Sequence, residues 1–185
     1  MNIIVAITGA SGAIYARQAL EILSSHANIE RIALVLSDNA ESVIEAEGEE
    51  LPHNERITRY ANNDMWSSIA SGSARWDAML IIPASMGTVG RIAAGISRTL
   101  IERAADVMLK ERRPLVLVVR ESPYSLIHLR NMTTLTEAGA IVVPASPSFY
   151  FRPQSIEELC LGTTQRAVEM CGVKVSHRAW GEATE

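Results

Sequence analysis

Arg120 and Glu121 stand side by side at the end of an apolar run, Leu115 to Val119. A carboxyl group beside a guanidinium can relay a proton, or it can be an ordinary ion pair at a strand end. The adjacent arginine favours the ionised carboxylate, although strand alternation points successive side chains to opposite faces. Both readings of Glu121 stay open on the residues alone. From Arg91 to Arg120 seven Lys or Arg oppose three acids, whereas from Asp38 to Asp64 eight acids oppose two arginines. These are either two solvated faces, or a basic segment that holds an anionic ligand and an acidic one that docks against a neighbour. Only Lys110 and Lys174 of the 17 basic residues are lysines, and the planar fork of arginine suits phosphate and interface pairing.

Two turns offer themselves to an anion. Asn2 to Ile7 reads as a short apolar strand, Thr8-Gly9-Ala10-Ser11-Gly12 follows it directly, and Ala13 to Leu23 looks helical. Glycines let the backbone approach a ligand, while the free N–H groups and dipole of the helix start face it. A tight strand-to-helix turn with no ligand is the competing reading. The second turn, Pro83-Ala84-Ser85-Met86-Gly87-Thr88, follows a strand at Ala78 to Ile82. Ser85 can cap the next helix, and Ser85 with Thr88 can offer hydroxyls to a phosphate.

The elements that must position these residues alternate along the chain. Arg31 to Leu36 is a second strand ending at Ser37, and Asp38 with Glu41 reads as a capping box opening a helix to about Glu47. Gly48 to Arg75 reads as irregular and polar, long enough to be functional or oligomer-facing. Within it Trp66 could pave a ligand or a subunit contact, with simple packing of the indole the stronger expectation. Leu100, Ala104, Val107 and Met108 recur at helical spacing, with Glu102, Arg103, Asp106, Lys110 and Glu111 on the polar faces. Leu115 to Val119 has no alternation and suits the middle of a parallel sheet covered on both sides. Ser122-Pro123 should open a helix to about Glu137, followed by a fifth strand at Ile141 to Val143 and a proline-studded loop carrying Tyr150 and Arg152. Ser155 and Glu158 read as another capping box, opening a helix to about Gly172 that presents Arg166.

This order predicts one α/β domain over residues 1–185, a three-layer doubly wound parallel sheet of Rossmann-like type, with a tail from about residue 173 that carries Trp180. In a flavodoxin-like strand order of 2-1-3-4-5, the turns after strands one and three flank the topological switch point, where a flavin phosphate would bind.

Composition narrows the function classes. The net charge of −4 disfavours nucleic acid as a bulk partner. No apolar segment approaches the ~20 residues of a membrane span, and the start reads as strand rather than signal peptide, so a soluble cytoplasmic protein without membrane contact is expected. Cys160 and Cys171 lack CxxC spacing and read as two buried thiols. Four scattered histidines with no HExxH or Cys/His cluster argue against a metal site.

Taken together, six segments resemble the UbiX-like flavin prenyltransferases, also called the phenylacrylic acid decarboxylase subunit family. They are TGASGAIY at Thr8 to Tyr15, ASGS at Ala70 to Ser73, PASMGT at Pro83 to Thr88, ERAADVMLKERRPLVLVVRE at Glu102 to Glu121, HLRNM at His128 to Met132 and FYFRPQS at Phe149 to Ser155. The resemblance implies FMN bound by Gly9, Ala10, Ser11, Gly12, Ser37, Ser85, Met86, Gly87, Thr88 and Arg120. It implies a prenyl phosphate site using Arg103, Lys110, Glu121, Tyr150 and Arg166, with Glu47 and Trp180 near the flavin or across subunits. It also implies large homo-oligomers, typically dodecamers, whose sites are completed by neighbours. The chain departs from the family pattern in having Ser37-Asp38 where Ser-Lys is frequent, Ala84 where Cys is frequent, and Ala179 between Arg178 and Trp180.

The chemistry so implied joins a dimethylallyl group from dimethylallyl monophosphate to reduced FMN, with the product passed to a UbiD-like decarboxylase. Arg103, Lys110 and Arg166 would neutralise the leaving phosphate without metal, Glu121 would donate or relay a proton, and Tyr150 would hold the phosphate. An FMN-binding or delivery subunit is the alternative. An NAD(P) reductase is a weaker one, suggested by TGASG and Asp38 but lacking any tyrosine with a lysine four positions on.

Overall fold

The computed structural model describes residues 1–175. Its strands are β1 (Asn2–Ile7), β2 (Arg31–Leu36), β3 (Ile57–Tyr60), β4 (Ala78–Ala84), β5 (Leu115–Val119) and β6 (Ile141–Pro144). Its helices are α1 (Ala13–Ser25), α2 (Ala40–Ala46), α3 (Met86–Ala93), α4 (Leu100–Lys110), α5 (Leu126–Glu137) and α6 (Ile156–Met170). All strand pairs are parallel, in the order β3-β2-β1-β4-β5-β6. The strand-and-helix alternation therefore gives the doubly wound α/β fold expected.

The central strands are apolar on both faces because both faces are covered. Ile3, Val5 and Ile7 of β1 pack with Tyr15, Leu20 and Leu23 of α1 and with Ala167 and Val168 of α6. The intervening Ile4 and Ala6 belong to the opposite core, with Val89 of α3, Leu100 and Ala104 of α4, and Leu135 of α5. Period-two alternation in β1 thus separates two hydrophobic cores, one on each side of a single sheet. Cys160 and Cys171 are buried free thiols, as their spacing suggested, and burial pushes Cys171 up to about 12. Among the described residues no helix is long and apolar enough to cross a membrane.

Four local expectations need correction. Gly48 to Arg75 contains β3, an edge strand paired with β2 from Ile32↔Ile57 to Val35↔Tyr60, so the sheet has six strands rather than five. Its middle residues Thr58 and Arg59 are exposed, which hid the strand from a search for apolar runs. Helix α2 starts at Ala40 behind Asn39 with no side-chain cap, so Asp38 and Glu41 do not form the predicted box. Helix α5 starts at Leu126 behind Ser125, whose hydroxyl accepts the His128 N–H while His128 Nδ1 accepts the Ser125 N–H, and Ser122-Pro123 lies in the preceding loop. Trp66 does not pack: it is 97% exposed. Ser155 does cap α6, accepting the Glu158 N–H at 3.1 Å.

Candidate functional site

The sheet order reverses between β1 and β4: α1 leaves β1 on one side of the sheet and α3 leaves β4 on the other. Such a switch point opens a crevice at the carboxyl ends of the strands. One hydroxyl joins its two walls. Thr8 Oγ1 donates to the Pro83 carbonyl at 2.8 Å and accepts the Ser85 N–H at 2.7 Å. Pro83, with no N–H to give, sits where the β4–β5 register shifts between Ile81 and Ala84. Ser37 is tied to β1 by its N–H, which donates to the Ile7 carbonyl at 2.9 Å.

The crevice holds a cleft of about 280 Å³ lined by Gly9, Ser37, Asp38, Asn39, Asn62, Ser85, Gly87, Thr88, Arg91, Thr99 and Ile101. Ser85 occupies the cap position of α3, yet its side chain does not cap the helix; Oγ lies 3.2 Å from Thr88 Oγ1. The amino end of α3 therefore presents backbone donors and two hydroxyls to the cleft, a donor set that fits a phosphate group. Gly9 is required at the wall, because a Cβ there would come within 2.8 Å of Asn39 Cβ. Among the described residues no group of His, Cys, Asp or Glu could hold a metal ion.

The first anion-friendly turn is used differently. Gly12 takes φ +114° at the start of α1, and its N–H donates to both Glu47 carboxylate oxygens at 3.0 Å. The Ala13 N–H donates to Glu47 Oε2 at 2.7 Å. The anion at this helix end is thus a carboxylate of the same chain. Burial pushes the Glu47 pKa up, but the Ser11 hydroxyl, the two backbone donors and the Arg120 charge outweigh it and hold the carboxyl below its ordinary range. Tyr15 lies beneath, its ring 2.8 Å from where a Gly12 Cβ would be. Burial and a hydrogen bond with Cys160 raise its phenol, against the Arg120 charge.

Arg120 follows β5, its N–H donating to the Ala84 carbonyl at 3.3 Å. Glu121 is half-buried, and its Oε1 accepts the Ser122 N–H at 2.9 Å. Tyr150 stands on the loop after β6, its ring meeting Phe151 edge-on at 4.6 Å between centroids. Arg103 and Lys110 lie along α4 instead. Arg103 Nε donates to the Ala70 carbonyl at 3.0 Å and Nη1 to Asp106 at 2.7 Å. Lys110 pairs with Glu111 over Gly72, where a Cβ would meet Lys110 Nζ at 2.9 Å. Arg113 donates to the Gly72, Ala74 and Trp76 carbonyls. The ASGS segment is thereby stitched to the outer face of α4.

Helix rise separates these residues. Lys110 lies eleven positions after Thr99, which lines the cleft, so it is about 16 Å further along the helix axis. Arg166 lies ten positions into α6 and is exposed, pairing with Glu169 at 3.2 Å. The cleft lining gathers Gly9, Ser37, Ser85, Gly87 and Thr88 and includes neither Lys110 nor Arg166. Trp180 lies outside the described residues. Glu102, expected on a polar face, is 1% exposed: it accepts Arg91 Nε and the N–H groups of Arg98 at 2.9 Å and Thr99 at 3.0 Å. Arg91 belongs to no motif in the sequence, yet it lines the cleft from the same α3 face as Thr88, one turn later.

The chain is similar to known flavoproteins over most of its length. The flavoprotein family model matches residues 1–171. The flavin prenyltransferase UbiX of Methanocaldococcus jannaschii is 40% identical, covering 98% of this chain and 99% of its own. The crystal structure of a dodecameric FMN-dependent UbiX-like decarboxylase from Escherichia coli O157:H7 superposes with TM-score 0.90 at 38% identity, covering 98% of this chain and 100% of that one. AnUbiX (PadA1), solved in complex with FMN and dimethylallyl pyrophosphate, superposes with TM-score 0.87 at 40% identity, covering 97% and 98%. With the family match, the shared fold and 40% identity over nearly the full length in agreement, the chain belongs to the UbiX flavin prenyltransferases of the flavoprotein family.

Proposed function

We propose that this protein, as one flavoprotein domain, transfers a dimethylallyl group from dimethylallyl monophosphate to reduced FMN and supplies the prenylated flavin to a UbiD-like decarboxylase in the cytoplasm. The observation that carries the reading is the amino end of α3, which faces the switch-point cleft without a side-chain cap and with the hydroxyls of Ser85 and Thr88 beside it. FMN supplies the nucleophilic ring nitrogen and adjacent carbon that take up the prenyl unit. The chain's residues bind and neutralise. Gly9, Ser37 and Ser85 to Thr88 hold the flavin phosphate, with Ala10, Ser11, Gly12 and Arg120 against the rest of the flavin. Arg103, Lys110 and Arg166 stabilise the charge on the departing phosphate, Tyr150 holds it, and Glu121 moves the proton. Glu47 orients the turn under the flavin, and Trp180 contributes near the flavin or across subunits.

Because Lys110 lies well down α4 from the cleft, we place the prenyl phosphate site between subunits. An apolar surface supports assembly: Leu126, Ile127 and Leu129 of α5 are exposed. Leu129 also lines a groove of about 470 Å³ together with Tyr124, Met132, Val142 and Pro144. A homododecamer is the assembly proposed, in keeping with the E. coli relative.

The test is an anaerobic incubation with reduced FMN and dimethylallyl monophosphate, followed by mass analysis of the released flavin. A gain of one dimethylallyl unit is expected. Flavin that binds but keeps its mass with both mono- and diphosphate donors identifies a carrier instead.

A further inference from the structure

Arg91 is the cation among the cleft-lining residues. Its Nη2 lies 3.3 Å from Thr88 Oγ1, and its Nη1 lies 3.3 Å from where a Gly87 Cβ would stand. The guanidinium therefore runs back along the first turn of α3, the direction in which helical side chains lean. Its Nε donates to buried Glu102. Glu102 is ionised: burial opposes the charge, but Arg91 and the Thr99 and Arg98 N–H groups overcome it. The carboxylate belongs to the capping box that opens α4, so the position of Arg91 is set by a second helix. The half-exposed guanidinium keeps donors on both terminal nitrogens beside the uncapped end of α3.

We infer that Arg91 is a phosphate ligand of the flavin site, positioned by Glu102, and that it makes the cleft select phosphorylated flavin over riboflavin. This rests on the flavin reading of the cleft. A guanidinium matches two phosphate oxygens at once, and the helix end beside it supplies further donors to the same dianion. Riboflavin offers no charge at that point, so the contribution of Arg91 falls on FMN alone. A residue that merely tied α3 to α4 would affect both flavins equally.

The experiment is a titration of wild type, Arg91→Met, Arg91→Lys and Glu102→Gln with oxidised FMN and with riboflavin, read by flavin fluorescence. Arg91→Met is expected to weaken FMN roughly 10- to 100-fold and riboflavin less than about twofold. Arg91→Lys, which keeps the charge, recovers part of the FMN affinity, and Glu102→Gln lowers the FMN-to-riboflavin ratio without abolishing it. Equal losses for the two flavins, or no loss for FMN, overturn the inference. A wild-type protein that binds neither flavin overturns the flavin reading itself, a result distinct from an unchanged ratio in the variants.

Discussion

Glu47 closes the amino end of α1, its Oε2 accepting the Ala13 N–H at 2.7 Å. The depressed pKa of this carboxyl makes the contact pH-dependent. A group whose folded pKa lies below its unfolded value stabilises the fold above the unfolded pKa, and the stabilisation disappears as pH falls through the folded one. Glu47→Gln is therefore expected to lower stability at pH 7 by about 1 kcal/mol, solvent screening at this exposed position keeping the loss small. The gap between variant and wild type should close as pH drops below the ordinary carboxylate range near 4.3. Urea unfolding across that range checks both statements.

Gly12→Ala places a Cβ 2.8 Å from the Tyr15 ring at a backbone φ of +114°. The expected loss is about 2 kcal/mol, or a fall in Tm of about 5 °C. Gly162→Ala in α6 meets nothing within 4 Å and should raise stability by about 0.5 kcal/mol. Calorimetry of the pair separates backbone strain from a general response to added methyl groups.

Glu102→Ala strands Arg91 and two backbone donors at the head of α4. A loss of roughly 3 kcal/mol is expected, read from the denaturation midpoint. An unchanged midpoint would mean that water replaces the carboxylate at no net cost.

Glu121→Gln keeps the shape of the strand end while removing the titrating group. Turnover is expected to fall roughly 10²- to 10⁴-fold with FMN affinity unchanged. Full turnover by this variant would remove Glu121 from proton transfer and leave it as the acceptor of the Ser122 N–H.

Lys110→Met and Glu121→Gln, each inactive alone, should regain activity when co-assembled, because roughly a quarter of interfaces in a random mixture carry both native side chains. Mixing after assembly should restore nothing. If co-assembled oligomers stay inactive, one subunit supplies both residues, and α4 must then approach the cleft more closely than its axial rise indicates.

Much of this architecture was legible from residue types. Apolar runs without alternation gave the central strands, and the glycine turn, Ser85 and Ser155 marked where helices begin. The misses share a cause. Strand β3 is four residues long at a sheet edge, with two adjacent exposed polar residues in its middle, so its Ile57-Thr58-Arg59-Tyr60 resembles loop sequence. Glu102 looked solvent-facing because its spacing matches a polar helix face. Yet Thr99-x-x-Glu102 is itself a capping signature, and it announces a carboxylate turned back toward the helix start. Arg91 is silent in the sequence because its importance depends on Glu102, eleven residues away and on another helix. The placement of Glu47 at the head of α1 was equally hidden, since nothing local to α2 specifies a partner 34 residues upstream.

Thr8 limits how this chain can drift. Its hydroxyl satisfies a carbonyl of β4 and the N–H of Ser85 just after that strand, both on the seam where the sheet order reverses. Serine keeps both bonds. Valine, nearly the same shape, leaves the Ser85 N–H without its acceptor and the Pro83 carbonyl with the Thr8 N–H at 3.2 Å alone. A lineage at this position can therefore exchange one hydroxyl for another, while the isosteric hydrocarbon is closed to it however well it fills the space.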